Sequence, residues 1–99
     1  MEDKTTLVVT AVPNPAEMAA VQAYLKGVLP LLLGAGGSLI KRMKVDEVLH
    51  GSPSGMVLVM DFESEDAVRT MFASDEYAAL IPDRERGFKD MNILLARGM

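Results

Sequence analysis

The stretch "TTLVVTAVPNPAE", residues 5–17, contains a change of pattern from which the fold can be predicted. The part from Thr5 to Val12 is short and rich in β-branched residues, which is typical of a strand. Asn14 then has the side chain of a helix N-cap, Pro15 suits the first helical position, and Glu17 suits the acidic position of a capping box. We therefore predict a strand that leads directly into a helix.

The predicted first helix has one apolar stripe that should face a core. Its residues recur at three- and four-residue spacing: Met18, Val21, Leu25, Val28, Leu29 and Leu32. Pro30 should kink or end the helix, because proline lacks the N–H that a helix interior needs. The segment "GAGG", residues 34–37, follows a helix and precedes a strand. We interpret it as a helix stop, since phosphate-binding glycine loops follow a strand and open a helix.

Two further strands are predicted after this glycine segment. From Ser38 to Leu49 we predict a half-exposed strand, with Leu39, Met43, Val45 and Leu49 on one face and Arg42, Lys44 and Asp46 on the other. The turn-rich segment "HGSPSG", residues 50–55, should connect it to a strand at Met56–Phe62 that is apolar on both faces. These two strands should form a hairpin.

The last third of the chain is predicted to hold a broken helix and a final strand. Ser64 and Ser74 are each followed by acidic residues, as expected of two successive N-caps. Pro82 can open one more turn, which Gly87 should close. The final strand is predicted at Met91–Arg97.

The predicted order is β-α-β-β-α-β, which is the ferredoxin-like arrangement of an α+β fold with a four-stranded antiparallel sheet. The 99 residues fit one domain, residues 1–99. In this topology the first and third strands are central, in agreement with their apolar residues on both faces. Because both helices would cover one face of the sheet, apolar residues on the other face would meet water. We expect a second copy of the sheet to cover them, in a homodimer joined through its sheet faces.

The chain resembles the family catalogued as domain of unknown function 1330, within the dimeric α+β barrel superfamily. The most specific part is "FESEDAVRTMFASDEYAALIPDR", whose Phe62, Ser74, Tyr77 and Arg84 match the family's spacing, and "GVLPLLLGAGG" after Tyr24 also fits. Phe72 departs from the family pattern, which has the larger tryptophan at this position. The resemblance implies a homodimer whose sheets pack face to face. It implies no single reaction, because relatives on this fold include cofactor-free monooxygenases, lactone isomerases, haem-degrading enzymes and ligand-sensing domains.

Charge and hydropathy argue against nucleic acid and membranes as partners. Fourteen acidic residues against ten Lys and Arg give a net charge of −4, so a field that attracts phosphate backbones is missing. The nearest basic cluster, Lys41 to Lys44, lacks interleaved aromatic residues. The longest apolar run is too short to span a bilayer, and the segment "MEDKTT" is unlike a signal peptide. We expect a cytoplasmic protein.

Metal and cofactor chemistry is not expected from this composition. The chain has no cysteine and a single histidine, His50, which cannot assemble a usual zinc or non-haem iron ligand set. His50 opens the predicted hairpin loop, where an exposed side chain is the simpler interpretation. We therefore predict no metal and no cofactor.

The candidate site lies on the broken helix, where Tyr77 is the candidate catalytic residue. Arg84, Tyr24 and Ser74 are the candidate ligand-binding residues. The alternative for Tyr77 is a packed ring with a satisfied hydroxyl, and for Arg84 an ion pair with Asp83, Glu85 or another acid. A broken helix often lines a pocket, because its freed backbone groups need partners.

Two functional hypotheses follow from the sequence. The first is a homodimer that binds a small anionic or carbonyl-bearing organic ligand, as a cofactor-independent isomerase or monooxygenase. In it Arg84 would hold the anion, and Tyr77 would donate a hydrogen bond or a proton. The alternative is a ligand-sensing or structural dimer without chemistry.

Overall fold

Four antiparallel strands form one sheet in the order β2-β3-β1-β4 in the computed structural model, which describes residues 4–99. The strands are β1 (Thr5–Pro13), β2 (Ser38–Lys44), β3 (Met56–Phe62) and β4 (Phe88–Ala96). The first and third strands are central and the second and fourth are edges. The predicted ferredoxin-like βαββαβ order and antiparallel sheet are therefore confirmed.

Four helices pack on one face of this sheet: α1 (Met18–Gly34), α2 (Glu65–Phe72), α3 (Asp75–Ala78) and α4 (Ile81–Gly87). The side chains that are most completely buried between the two layers come from both of them: Phe62, Leu7, Leu32, Met60 and Val68. The fold is thus two layers around a single apolar core.

The first turn after β1 is a 3₁₀ turn at Pro15–Glu17, and α1 begins after it. The side-chain oxygen of Asn14 accepts a hydrogen bond from the N–H of Ala16 at 3.0 Å, as expected of an N-cap. Glu17 does not complete a capping box. Its carboxylate instead lies 3.8 Å from the Nε of Arg86 in α4, so it links the two helices.

Pro30 does not end α1, which continues to Gly34. Val28 and Leu32, on either side of it, are both buried, so core packing holds the helix across the proline. The helix ends at a Schellman motif, in which the N–H of Gly37 bonds the carbonyl of Leu32 at 3.0 Å. Gly36 has φ +94°, a conformation that favours glycine, and the predicted helix stop is confirmed.

The edge strand β2 differs from its prediction in length and in register. It ends at Lys44, and the chain from 45 to 55 is a loop. A bulge at Ile40 shifts the pairing, so that Leu39 lies opposite Met60 whereas Met43 lies opposite Val57. The prediction that Leu39 and Met43 share a face is wrong, because the inserted residue reverses the alternation between them.

The face of the sheet away from the helices carries an apolar surface. Val8 of β1 pairs with Val59 of β3 and with Leu94 of β4, so these three side chains point to the same side. Leu94 is 51% exposed and Met43, on the same face, is 38% exposed. We call this surface, together with Val57, the open face.

One segment, Pro15–Gly34, is long and apolar enough in composition to cross a membrane. Its residues Val21, Val28 and Leu32 are buried in the core cluster against the sheet. We interpret α1 as the core helix of a globular domain, since a packed core helix has the same composition.

Candidate functional site

Tyr24 lies in the middle of the buried face of α1, between Val21 and Val28, and is 4% exposed. The predicted apolar stripe omitted it and included Met18, which is 44% exposed. The predicted stripe, which left out tyrosine, was therefore rotated about the helix axis relative to the buried face of α1. Tyrosine belongs in such a stripe when its hydroxyl has a buried partner.

Tyr77 is brought into the core by the cap of its short helix. The Oγ of Ser74 accepts the N–H of Tyr77 at 3.2 Å and donates to the carbonyl of Met71 at 2.6 Å. The cap fixes the direction of α3, and the ring of Tyr77 is 2% exposed. Ser74 therefore has a capping role, and its predicted contact with a ligand stays a prediction.

Three of the candidate residues form one hydrogen-bonded chain across three helices. The Nη1 group of Arg84 in α4 donates to the hydroxyl of Tyr77 in α3 at 3.0 Å. The Tyr77 hydroxyl lies 2.8 Å from the hydroxyl of Tyr24 in α1. Tyr24, Tyr77 and Arg84 are thus brought together, whereas Ser74 is outside the chain.

The hydroxyl groups of Tyr24 and Tyr77 have two protons, but only one of these protons is donated in a hydrogen bond within the chain. Only one proton can lie between the oxygens of Tyr24 and Tyr77, and Arg84 contributes a further donor to Tyr77. Within residues 4–99, the other hydroxyl proton has no acceptor. The chain therefore ends in a donor that an acceptor oxygen could satisfy.

Aromatic rings hold this chain in place from both sides. Phe72 meets Tyr77 edge to face with centroids 4.8 Å apart, and Phe88 meets Tyr24 in the same way at 5.6 Å. The sequence interpretation missed Phe88 because it began the last strand at Met91. Beginning that strand directly after Gly87 would have placed Phe88 beside the site.

Burial and hydrogen bonding set the charge state of the chain. Burial raises the pKa of Tyr24, the hydrogen bond with Tyr77 raises it further, and the charge of Arg84 opposes this only in part. The hydrogen bond to Tyr77 raises the pKa of Arg84. Near neutral pH the site therefore contains a neutral Tyr24 hydroxyl and a charged guanidinium.

Two clefts lie beside this chain, the outer lined by Arg84 and the inner by Tyr24, whereas Tyr77 lines neither of them. The outer cleft, about 350 Å³, is lined by Arg84, Glu85, Lys89 and Asp90 together with Phe88, Met91 and Ile93. The inner cleft, about 30 Å³, lies between α1 and the sheet and is lined by Tyr24 and twelve apolar side chains, including Leu25, Leu29 and Met56. Phe88, Met91 and Ile93 line both clefts, so the two clefts are adjacent.

A second polar cleft lies at the start of α2, where Arg69 and Arg97 line one side. Arg69 lies 2.7 Å from the carboxylate of Glu65 and 3.5 Å from that of Asp66, and Arg97 lies 3.8 Å from Glu65, so two carboxylates already offset the two cations. His50 is exposed in the loop after β2. Within residues 4–99, no group of three or more His, Asp or Glu is placed to hold a metal ion.

Solved structures of other proteins place this chain in a structural class. It matches a dabb family protein with a ferredoxin-like fold from Mesorhizobium loti with a TM-score of 0.70, 10% identity and 99% coverage of each chain. A protein of unknown function from Rhodopseudomonas palustris matches with a TM-score of 0.82 and 15% identity, over 100% of this chain and 85% of that one. A nipsnap family protein of unknown function from Agrobacterium tumefaciens matches at 0.64 and 11%, over 96% and 87%. At these identities the likeness shows the fold alone, which is ferredoxin-like.

The sequence itself then identifies the family. The chain belongs to the family described as "Domain of unknown function (DUF1330)", whose family model matches residues 5–99. The resemblance found in the sequence is thereby confirmed. No curated protein matches this chain.

Proposed function

We propose that this protein is a cytoplasmic homodimer that binds a small anionic or carbonyl-bearing organic ligand in the outer cleft. The observation that carries the proposal is the hydrogen-bonded chain from Arg84 through Tyr77 to Tyr24, which contains a proton without an acceptor. The absence of cysteine is compatible with a reducing compartment.

Arg84 is suited to hold the anionic group of such a ligand. Its guanidinium has five N–H donors in a planar fork, and the bond to Tyr77 uses one of them. The nearest carboxylate, that of the exposed Glu85, is 3.7 Å away, so this ion pair is weak. The remaining donors can pair with a carboxylate that enters the outer cleft.

Tyr77 is suited to donate a proton to a carbonyl oxygen. If its proton moves to the ligand, the phenolate left behind receives hydrogen bonds from Arg84 and from Tyr24. A hydroxyl donor beside a fixed cation stabilises a carbonyl oxygen that gains negative charge during enolisation, and a carboxylate of the outer cleft, Glu85 or Asp90, would take the α-proton. This arrangement favours an isomerase among the reactions expected from the sequence, and Ser74 would support it by fixing α3.

The test is to incubate the protein and a Tyr77→Phe variant with short oxo acids and lactones, and to follow binding by calorimetry and conversion by NMR. We expect the variant to keep the ring packing, retain binding within about tenfold, and lose conversion. Binding by both proteins without conversion by either would support the ligand-sensing alternative. Equal conversion by both would exclude Tyr77 as the proton donor.

We also expect the protein to sediment as a dimer at micromolar concentration. The open face exposes Leu94 and Met43 on a sheet whose other face is covered by helices, and a second sheet would remove this apolar surface from water. A Leu94→Lys variant should sediment as a monomer, whereas Leu33→Lys, at an exposed residue of α1, should remain dimeric. A folded wild-type monomer at micromolar concentration would contradict the sheet-to-sheet dimer.

A further inference from the structure

We propose that the two sheets of the homodimer are held in one orientation by a pair of charges, in which Lys41 of each copy pairs with Asp61 of the partner subunit. The inference rests on the proposed homodimer and adds the contact that fixes how one sheet lies on the other. It depends on the register of the strands, which puts both charges on the side that a second copy would cover.

The strand pairing places Lys41 and Asp61 on the same side of the sheet as the open face. Asp61 lies two residues along β3 from Val59, so the two side chains point to the same side. Lys41 of the edge strand lies directly opposite Val59. The neighbouring Arg42 lies opposite the buried Leu58 and therefore points to the other side.

Asp61 needs a counter-ion if the open face is buried. It is a half-buried carboxylate on the central strand β3, and the hydroxyl of Thr6 donates to its Oδ1 at 2.8 Å. Within residues 4–99, neither Asp61 nor Lys41 forms an ion pair. A second sheet would withdraw this carboxylate from water, which is costly unless a cation accompanies it. Lys41 is exposed on the same side and can supply that cation.

Two-fold symmetry can bring these charges together from the places that they already occupy. Measured from Val59, Lys41 lies one strand across, about 4.8 Å, and Asp61 lies two residues along the strand, about 6.8 Å. A two-fold axis in the interface that passes Val59 between these two directions exchanges them, so Lys41 lies over Asp61 of the partner subunit to within about 2 Å.

The same axis also brings apolar residues of the open face together. Val59 meets Val59 of the partner subunit, and Val8 meets Val57 of the partner subunit, because Val8 lies one strand from Val59 and Val57 lies two residues along. The strands of the two sheets then cross at nearly a right angle, which is one of the two common ways in which sheets pack. Sheets that pack face to face are about 10 Å apart, a gap that a lysine and an aspartate side chain can bridge together.

The experiment measures dimer dissociation by sedimentation for Lys41→Glu, for Asp61→Lys and for an equimolar mixture of the two. Each single variant places like charges together at both symmetric contacts, so its dimer should weaken about tenfold or more. In the mixture, one copy of each variant forms two contacts of opposite charge, and dimers should form again as in the wild type. Arg42→Glu is the matched control, because it makes the same charge change on the other side of β2 and should leave the dimer unchanged.

Lys41 and Asp61 are also diagonal neighbours within one sheet, and the mixture separates a pair between copies from a pair within one copy. A mixture that stays monomeric would overturn the inference, and a dimer of the double variant Lys41→Glu/Asp61→Lys would then assign the pair to a single copy. Single variants that dimerise as tightly as the wild type would also overturn it, although the homodimer would stand. A monomeric wild type would contradict both.

A second variant keeps the test decisive if Asp61→Lys fails to fold. Asp61→Asn keeps an oxygen for the Thr6 hydroxyl and removes the charge. Combined with Lys41→Glu, it should restore most of the dimer that Lys41→Glu alone loses, because the repulsion between the two carboxylates is gone. No recovery would show that Lys41 does not face Asp61 of the partner subunit.

Discussion

A Gly87→Ala variant is expected to unfold at a temperature roughly 5–20 °C below the wild type. A Cβ at Gly87 would lie 2.8 Å from the backbone N of Val21 and 3.1 Å from the carbonyl carbon of Ala20. Both atoms belong to the backbone of α1, so no rotamer change can relieve the contact. The expected cost is about 1–3 kcal/mol, as for other overpacked sites.

The same change should disturb the candidate site, because Gly87 sets the distance between α1 and α4. Its carbonyl accepts the N–H of Asn14 at 2.8 Å, so the position is fixed on both sides. Arg84 lies about one turn before Gly87, and Tyr24 about one turn after Val21. Moving α4 outward would lengthen the hydrogen-bonded chain, and ligand affinity should fall with stability.

Gly34→Ala is the matched control for this prediction. Gly34 is exposed at the end of α1, and a Cβ there would meet nothing within 4 Å. Alanine also favours the helical state, so this variant should melt at or slightly above the wild-type temperature. Thermal unfolding followed by circular dichroism measures both variants. Equal melting temperatures for Gly87→Ala and the wild type would show that α1 and α4 do not pack closely.

The fold could be predicted because its signals are local. The β-branched run after Thr5, and the caps at Asn14, Ser64 and Ser74, each depend on neighbouring residues in the chain. The central position of the first and third strands followed from the predicted topology and agreed with the apolar residues on both of their faces. Such patterns need no knowledge of tertiary contacts.

The errors have their causes in tertiary structure. The bulge at Ile40 depends on pairing with β3, and the sequence of β2 contains no signal that predicts it. Gly87 was predicted to close a helix, and α4 does end there. Its φ is not positive, however, because the positive-φ glycines of residues 4–99 are Gly36 and Gly51. The space between α1 and α4, and not an unusual φ, requires the glycine. A contact between residues 66 positions apart leaves no local signal.

The residues of the candidate site could be predicted from the sequence, but the hydrogen bonds between them could not. The resemblance pointed to Tyr24, Tyr77 and Arg84, and the three do meet. Which hydroxyl bonds to which group depends on three helices packing together, so the shared hydrogen-bonded chain could not be read from spacing. Phe88 was missed for the same reason, because its role depends on the neighbouring Tyr24 ring.

An Arg84→Lys variant is expected to bind short carboxylates about one to two orders of magnitude more weakly than the wild type, with little change in melting temperature. The guanidinium can offer a carboxylate two parallel N–H donors while it still bonds to Tyr77, and a lysine ammonium cannot reproduce this fork. A desolvated contact of this kind is worth roughly 1.5–3 kcal/mol. The pair with Glu85 is exposed and 3.7 Å long, so its loss should hardly affect stability.

Arg86→Lys is the control, because Arg86 lies in the same helix and is exposed. Its Nε is 3.8 Å from Glu17, and it does not line the outer cleft. Calorimetry with 4-oxopentanoate and thermal unfolding should therefore show no change in affinity or melting temperature for Arg86→Lys. If Arg84→Lys instead melts early and binds like the wild type, Arg84 supports the packing of Tyr77 and does not hold an anion. The segment from Met71 to Phe88 would then have a structural role only, because Tyr77 and Arg84 would serve to hold three helices together.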